Sequence, residues 1–386
     1  MKVIKYFLLC ARSVLKNKKN LSVIVVMAAL LYGVSIFSLL KPTEEYSDAE
    51  RRKLAAFPVF SMEAVLSGDF MEEFEEYTKD QFPLRDELRT LKAVSSYYVL
   101  RQKENHGIYF ADGHISKLED TLNFSMLSHA AEVFEETYDN LLKGTDTKMY
   151  FSIVPDKNYY LAKSNGYPSM DYEALFAYMK EETDYMKYID ISALLTADDY
   201  YATDTHWRQE NLQGVVGRIA EEMGIILDEN YTERTLEYPF YGVYCGQSAL
   251  PCRPDTIRYL ESEMLMQCKV TGYDGIKTTE FSIYDMEKAA GKDPYEMFLS
   301  GNQALLTITN PNAETNRELV VFRDSFAGSL IPLFAEAYAK ITLIDLRYIR
   351  GQLPEGYLTF RDQDVLFLYS TLLLNNSLAL RPLSSN

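Results

Sequence analysis

The chain has 386 residues, a formal net charge of −17 and four Cys. An acidic balance of that size argues against nucleic acid as a partner. So few Cys, with no Cys-x-x-Cys spacing, argue against a disulfide framework and a thiolate zinc site, and the length allows one large or two ordinary domains.

The charge is uneven along the chain. Residues 1–20 hold Lys2, Lys5, Arg12, Lys16, Lys18 and Lys19 and no acid, so they carry +6 and the remainder −23. Residues 21–40, "LSVIVVMAALLYGVSIFSLL", contain no charge. As a helix rising 1.5 Å per residue they span roughly 30 Å, the thickness of a bilayer's hydrocarbon core. Apolarity on all faces behind a basic segment favours a transmembrane anchor over a buried core helix. A cleaved signal peptide is the nearer competitor, but no Ala-x-Ala site appears and the apolar run is long for a signal. The basic tail predicts that residues 1–20 stay in the cytoplasm and residues 41–386 lie outside. Cys10 is then cytoplasmic, while Cys245, Cys252 and Cys268 face an oxidising space. Of these, Cys245 and Cys252 are close enough to bridge a small loop, and three Cys leave one over.

Residues 41–105 read as a helical stalk or subdomain. Phe70, Phe74 and Tyr77, then Leu84, Leu88, Leu91 and Val94, recur at helical spacing. Pro83 is expected to open the second helix, where its missing N–H costs nothing. From residue 106 to 386 the pattern alternates strand and helix. "KMYFSIVP" (148–155) is a strand ending at Pro, and "RQENLQGVVGRIAEEMG" (208–224) is an amphipathic helix. Residues from about 228 to 300 look like an irregular insertion. "ALLTIT" (304–309), "ELVVF" (318–322), "ITLID" (341–345) and "DVLFLY" (364–369) are short apolar runs suited to a buried parallel sheet. The alternation predicts an α/β layered fold.

Two fragments carry candidate chemistry. In "ELVVFRDSFAGSL", Asp324-Ser325 follows a strand and precedes a helix, and ligands of open α/β sheets gather at the carboxyl ends of strands. A Ser there has its hydroxyl at the crevice, beside unpaired N–H groups that suit an oxyanion; the competing reading is a helix cap. In "DTHW", Asp204 and His206 stand two apart. Imidazole titrates near neutrality and suits the removal of a hydroxyl proton, and a carboxylate on its other nitrogen stabilises the imidazolium. The competing reading is a surface His beside a solvated Asp. Trp207, the chain's single Trp, is expected to be structural. The chain order Asp, His, Ser occurs among convergent triads.

"TDTHW", "FYGVYCGQSA", "PDTIRYL", "YEMFLSGNQALLTIT" and "LVVFRDSFAGSLIPLFAEAYAKITLIDLRYI" resemble, in that order, the DHHW family. Its relatives include the periplasmic alginate O-acetylation proteins. "ERRKLAAFPVF" (50–60), "EEYTKDQFPLRDEL" (75–88) and "IVPDKNYYL" (153–161) resemble further signatures of the same family. The resemblance spans most of residues 45–370. It implies an SGNH-hydrolase-like layered sheet with helices on both faces, preceded by the transmembrane helix and the stalk. It also implies Ser325 as nucleophile, His206 as base and Asp204 as the orienting carboxylate. Thr205 stands where the family name has His, as in the alginate-type relatives. The Ser block follows the Asp-His block, the reverse of the wider SGNH group, as in a circular permutation. Asn302, in "SGNQ", is the candidate oxyanion donor. Arg347 and Lys157, each just past a strand, are candidates for neutralising the oxyanion or binding a sugar.

These readings lead to acyl transfer on O-acetyl groups of an extracellular polysaccharide, with no cofactor. The resemblance implies that the acetyl donor comes through a membrane-bound O-acyltransferase partner. If water replaces the sugar, the same machinery is an acetylesterase. The alternative is a non-catalytic polysaccharide-binding or assembly component of an export complex. Metal-assisted hydrolysis is disfavoured, since His106, His114 and His129 form no ligand-spaced pair with His206.

Overall fold

The computed structural model describes residues 18–227, 230–273, 277–349, 351–354 and 356–384. Residues 1–17 of the basic tail, with Cys10, lie outside them. Contacts divide the chain into one unit ending at Ser95 and another beginning at Ser96.

The first unit contains a helix, Lys18–Leu40, that is long and apolar enough to cross a membrane. Its later helices, Asp69–Asp80 and Arg85–Val94, match the apolar spacing in the sequence. Phe57 packs on Phe74 and Tyr77 at 5.9 and 5.2 Å between ring centroids. The Asp80 carboxylate accepts from both terminal nitrogens of Arg52 at 2.8 and 2.6 Å and from Ala55 N at 2.9 Å. Pro83 does not open the second helix. Leu84 takes a left-handed φ of 55° and the helix starts at Arg85, so the fixed φ of Pro83 serves the turn before it.

The second unit is built on an eight-stranded sheet. Its strands are β1 (Lys148–Val154), β2 (Lys187–Tyr188), β3 (Lys269–Tyr273), β4 (Thr278–Phe281), β5 (Leu305–Thr309), β6 (Glu318–Arg323), β7 (Lys340–Ile344) and β8 (Asp364–Ser370). The order is β4-β3-β5-β7-β6-β8-β1-β2. From β7 to β2 all pairings are parallel, and β5, β3 and β4 join antiparallel.

The apolar runs are continuous because both faces of the sheet are covered. Along β6, Leu319 and Val321 enter one core cluster while Val320 and Phe322 enter the other. The helix Gln213–Met223 and the segment Ala327–Ala337 close the first face. Phe124–Leu141 and Tyr172–Glu182 close the second. The expected layered α/β sheet with helices on both faces is therefore present. Truncating one such fully buried chain to Ala costs about 2–5 kcal/mol.

The region from about 228 to 300 is more ordered than its sequence implies. Lys269–Tyr273 and Thr278–Phe281 extend the main sheet, and Thr232–Phe240 pairs with Asp255–Glu261 in a separate hairpin. These strands are half exposed and carry charged residues, so they lack the apolar run that marks the central ones. Cys245 is bonded to Cys252, and Cys268 is buried and free.

Candidate active site

The carboxyl ends of the parallel strands share one edge of the sheet. There β1 leads to Asp156-Lys157, β6 to Asp324-Ser325, β7 to Asp345 and Arg347, and β8 to Thr371. The Ser325 turn is tied down by its neighbour. Asp324 Oδ1 accepts from Phe326 N at 3.0 Å and Oδ2 from Ser370 N at 2.8 Å, so one carboxylate joins the exits of β6 and β8. Ser325 is half-buried, and its own N–H makes no hydrogen bond among the described residues.

The "DTHW" segment is a tight loop. Tyr200 bridges Trp207, and Tyr201 N donates to His206 O at 3.0 Å. Folding back in this way brings Asp204 Oδ1 to 2.7 Å from His206 Nδ1 and to 3.1 Å from His206 N. The other carboxylate oxygen accepts from Val243 N at 2.8 Å. Across the ring, His206 Nε2 lies 2.8 Å from Ser325 Oγ. An ionised Asp204 requires the proton on Nδ1, which leaves Nε2 to accept from the hydroxyl. The Asp204 side chain is 1% exposed and that of His206 14%, so water competes little for these bonds.

Trp207 explains how two distant pieces of chain meet. Its indole N–H donates to Phe326 O and to Ser329 Oγ, both at 3.0 Å, which pins the His loop to the turn carrying Ser325. Gln209 adds a second tie, donating to Ser329 O at 2.7 Å. Tyr295 stacks on the imidazole with centroids 4.0 Å apart and planes 13° apart, and its hydroxyl bonds Ser329 Oγ at 2.9 Å. Behind the loop, a Cβ at Gly242 would run into Thr203 O and Asp204 Cβ. Only glycine permits this close approach, which lets Val243 N reach Asp204.

The remaining candidates separate. Lys157 is not a group reaching for a ligand. It is 1% exposed, and its ammonium donates to Tyr201 O at 2.8 Å, Ala202 O at 3.2 Å and Asp204 O at 2.8 Å. Burial pushes its pKa down to about 7, against the pull of Asp204, Asp255 and Asp156. Arg347 is held by Asp345, with Nε at 2.9 Å from Oδ1 and an Nη at 2.6 Å from Oδ2. That fork commits two of its five N–H donors before any ligand arrives. Asn302 is exposed and makes no side-chain hydrogen bond among the described residues. It follows Leu299, Ser300 and Gly301, all at positive φ.

Sequence reasoning missed Asp255, Tyr295 and Gly242. Asp255 accepts from Ala202 N at 2.9 Å, Thr203 N at 2.7 Å and Thr203 Oγ1 at 2.6 Å. Each of the three lay inside a quoted motif, but nothing in the spacing pointed to the loop it supports. No cluster of three or more potential metal ligands occurs among the described residues.

No family model matches this chain, and no curated protein does. Solved structures do. A DHHW family protein from Eubacterium siraeum aligns at 21% identity over 73% of this chain and 97% of that one, with a TM-score of 0.58. Bacillus cereus PatB1 bearing a sulfonyl adduct aligns at 19% over 69% and 95%, with a TM-score of 0.56. A second structure of Bacillus cereus PatB1 aligns at 19% over 69% and 96%, with a TM-score of 0.51. At these identities the likeness is one of fold: this chain has the layered α/β architecture of a DHHW family protein and of PatB1.

Proposed function

We propose that this chain is a membrane-anchored, extracytoplasmic acyl-transfer enzyme acting on O-acetyl groups of a polysaccharide, with Ser325 as nucleophile, His206 as base and Asp204 as its orienting carboxylate. The carrying observation is the unbroken line of short contacts from Ser325 Oγ to His206 at 2.8 Å and from His206 to Asp204 at 2.7 Å. The fold shared with a DHHW family protein agrees with the resemblance of the "TDTHW" and "RDSF" blocks. PatB1 has been seen with a sulfonyl adduct, and sulfonyl groups attach to activated nucleophiles.

In this reading Ser325 Oγ bonds the acetyl carbonyl carbon while its proton passes to His206 Nε2. Asp204 stabilises the imidazolium. The free N–H of Ser325 and the unbonded amide of Asn302 are assigned to the oxyanion. Collapse breaks the donor's C–O bond, and His206 returns the proton to the leaving oxygen. A sugar hydroxyl then attacks the acyl-serine, His206 takes its proton, and Ser325 Oγ leaves and is reprotonated. Water in place of the sugar gives hydrolysis.

The anchor is the helix Lys18–Leu40, with the basic tail in the cytoplasm. The Cys245–Cys252 bond supports this orientation, because disulfides persist in oxidising spaces. An extracytoplasmic enzyme has no cytosolic acetyl donor at hand, so a membrane-bound O-acyltransferase is the proposed supplier.

The test is turnover of a chromogenic acetyl ester by the full chain in detergent. Ser325→Ala is expected to abolish it while the circular dichroism spectrum is retained; unchanged turnover refutes the serine mechanism. Incubation with an acetyl ester and oligosaccharides then separates transfer, read as acetylated sugar by mass spectrometry, from acetate release alone.

A further inference from the structure

The loop that presents Asp204 and His206 is held by two buried opposite charges that do not touch each other. On one side the Lys157 ammonium gathers three carbonyls, those of Tyr201, Ala202 and Asp204. Three carbonyl acceptors are matched only by the protonated amine, which opposes the effect of burial on its pKa, and its three N–H bonds are then fully used. On the other side the Asp255 carboxylate gathers the N–H groups of Ala202 and Thr203 and the Thr203 hydroxyl. The same peptide units are thus pulled by their oxygens toward a cation and by their hydrogens toward an anion. Charged hydrogen bonds are about twice as strong as neutral ones, and in a buried setting they orient the peptides firmly. Lys157 comes from the end of β1 and Asp255 from the start of a hairpin strand. The clamp therefore ties the loop to two separate parts of the unit.

We propose that Lys157 and Asp255 form a positioning pair that sets the geometry of Asp204 and His206 against Ser325. The inference rests on the serine reading above. Neither residue contacts Ser325 or the imidazole; they act through the backbone between Tyr201 and Asp204. The charged and titratable groups facing Lys157 are Asp204, Asp255, Asp156, His114 and Tyr244. Arg208 approaches Asp255 at 4.0 Å. Removing the ammonium leaves the carboxylates uncompensated, which favours the imidazolium. Removing the Asp255 charge does the reverse.

The experiment uses the full chain in detergent, with Lys157→Met and Asp255→Asn. Each is expected to lower kcat by about 100-fold, as an ångström-scale misplacement does, with KM changed less than threefold. The acid limb of the kcat/KM profile is expected to move up by about half a pH unit in Lys157→Met and down by about as much in Asp255→Asn. A residue that merely stabilises the fold would lower the unfolding midpoint and leave kcat and the His206 Nδ1 proton signal of the folded protein unchanged. If both variants keep kcat within threefold, the clamp is refuted while the serine reading stands, whether or not the acid limb moves. If Lys157→Met does not fold, the isosteric Asp255→Asn decides alone. If the wild type has no Ser325-dependent turnover, the serine reading fails. The clamp is then judged by NMR of the His206 Nδ1 proton, with histidine labelled. Loss of the downfield signal in the folded variants supports the clamp, and an unchanged signal overturns it.

Discussion

The two ends of the parallel strands handle charge differently. At the carboxyl ends Asp156, Asp204, Asp255, Asp324 and Asp345 are all at most 8% exposed, and each accepts hydrogen bonds, Asp156 from the Tyr172 hydroxyl among others. At the amino ends an open groove of about 740 Å³ is lined by Lys148, Arg317, Glu318, Lys340, Arg361 and Asp364. Arg317 and Asp364 pair there at 2.6 Å, while Lys148 and Arg361 are exposed. The groove offers volume without convergence. At the carboxyl end the side chains are fixed at short distances from one another. A reactive constellation needs fixed geometry more than space, because a small misplacement costs orders of magnitude in rate.

The contrast can be broken or sharpened by substitution. Ser325→Ala should have the largest effect, a loss of at least about 1,000-fold in ester turnover, measured on protein with unchanged circular dichroism. Gly242→Ala comes next. The added methyl displaces Thr203 and Asp204, and turnover is expected to fall about 100-fold with the unfolding midpoint lowered as well. Tyr295→Phe keeps the ring on His206 but removes the bond to Ser329. A stability loss of about 1 kcal/mol in chemical denaturation is expected, with turnover within threefold. The smallest effect belongs to the amino-end groove, where Lys148→Ala with Arg361→Ala should leave turnover within about twofold, since exposed charges contribute little. Strong inactivation by that double substitution would mean that the groove serves the reaction, and the comparison between the ends would fail.

Much of this was legible in advance. The runs at 148–155, 318–322, 341–345 and 364–369 are strands because β-branched and aromatic residues fill both faces of a covered sheet. Strands Lys269–Tyr273 and Thr278–Phe281 were not legible, because their polar and exposed residues carry no such run. Pro83 was misplaced because a fixed φ suits a turn as well as a first helical turn. Lys157 and Arg347 were correctly placed at strand ends, but their partners are carbonyls and a neighbouring carboxylate. A cation at a strand end looks the same in sequence whether it faces a ligand or the chain's own backbone.

Local chemistry written in the sequence determined the apolar helix, the central strands and the two fragments holding a hydroxyl and an imidazole, since periodicity and residue type act over a few neighbours. Only the tertiary structure decided that those fragments, 119 residues apart, meet at 2.8 Å, and that Trp207, Lys157 and Asp255 hold them there. The reason is physical: a hydrogen bond between distant residues depends on where the packed core places both, and no local pattern encodes that distance.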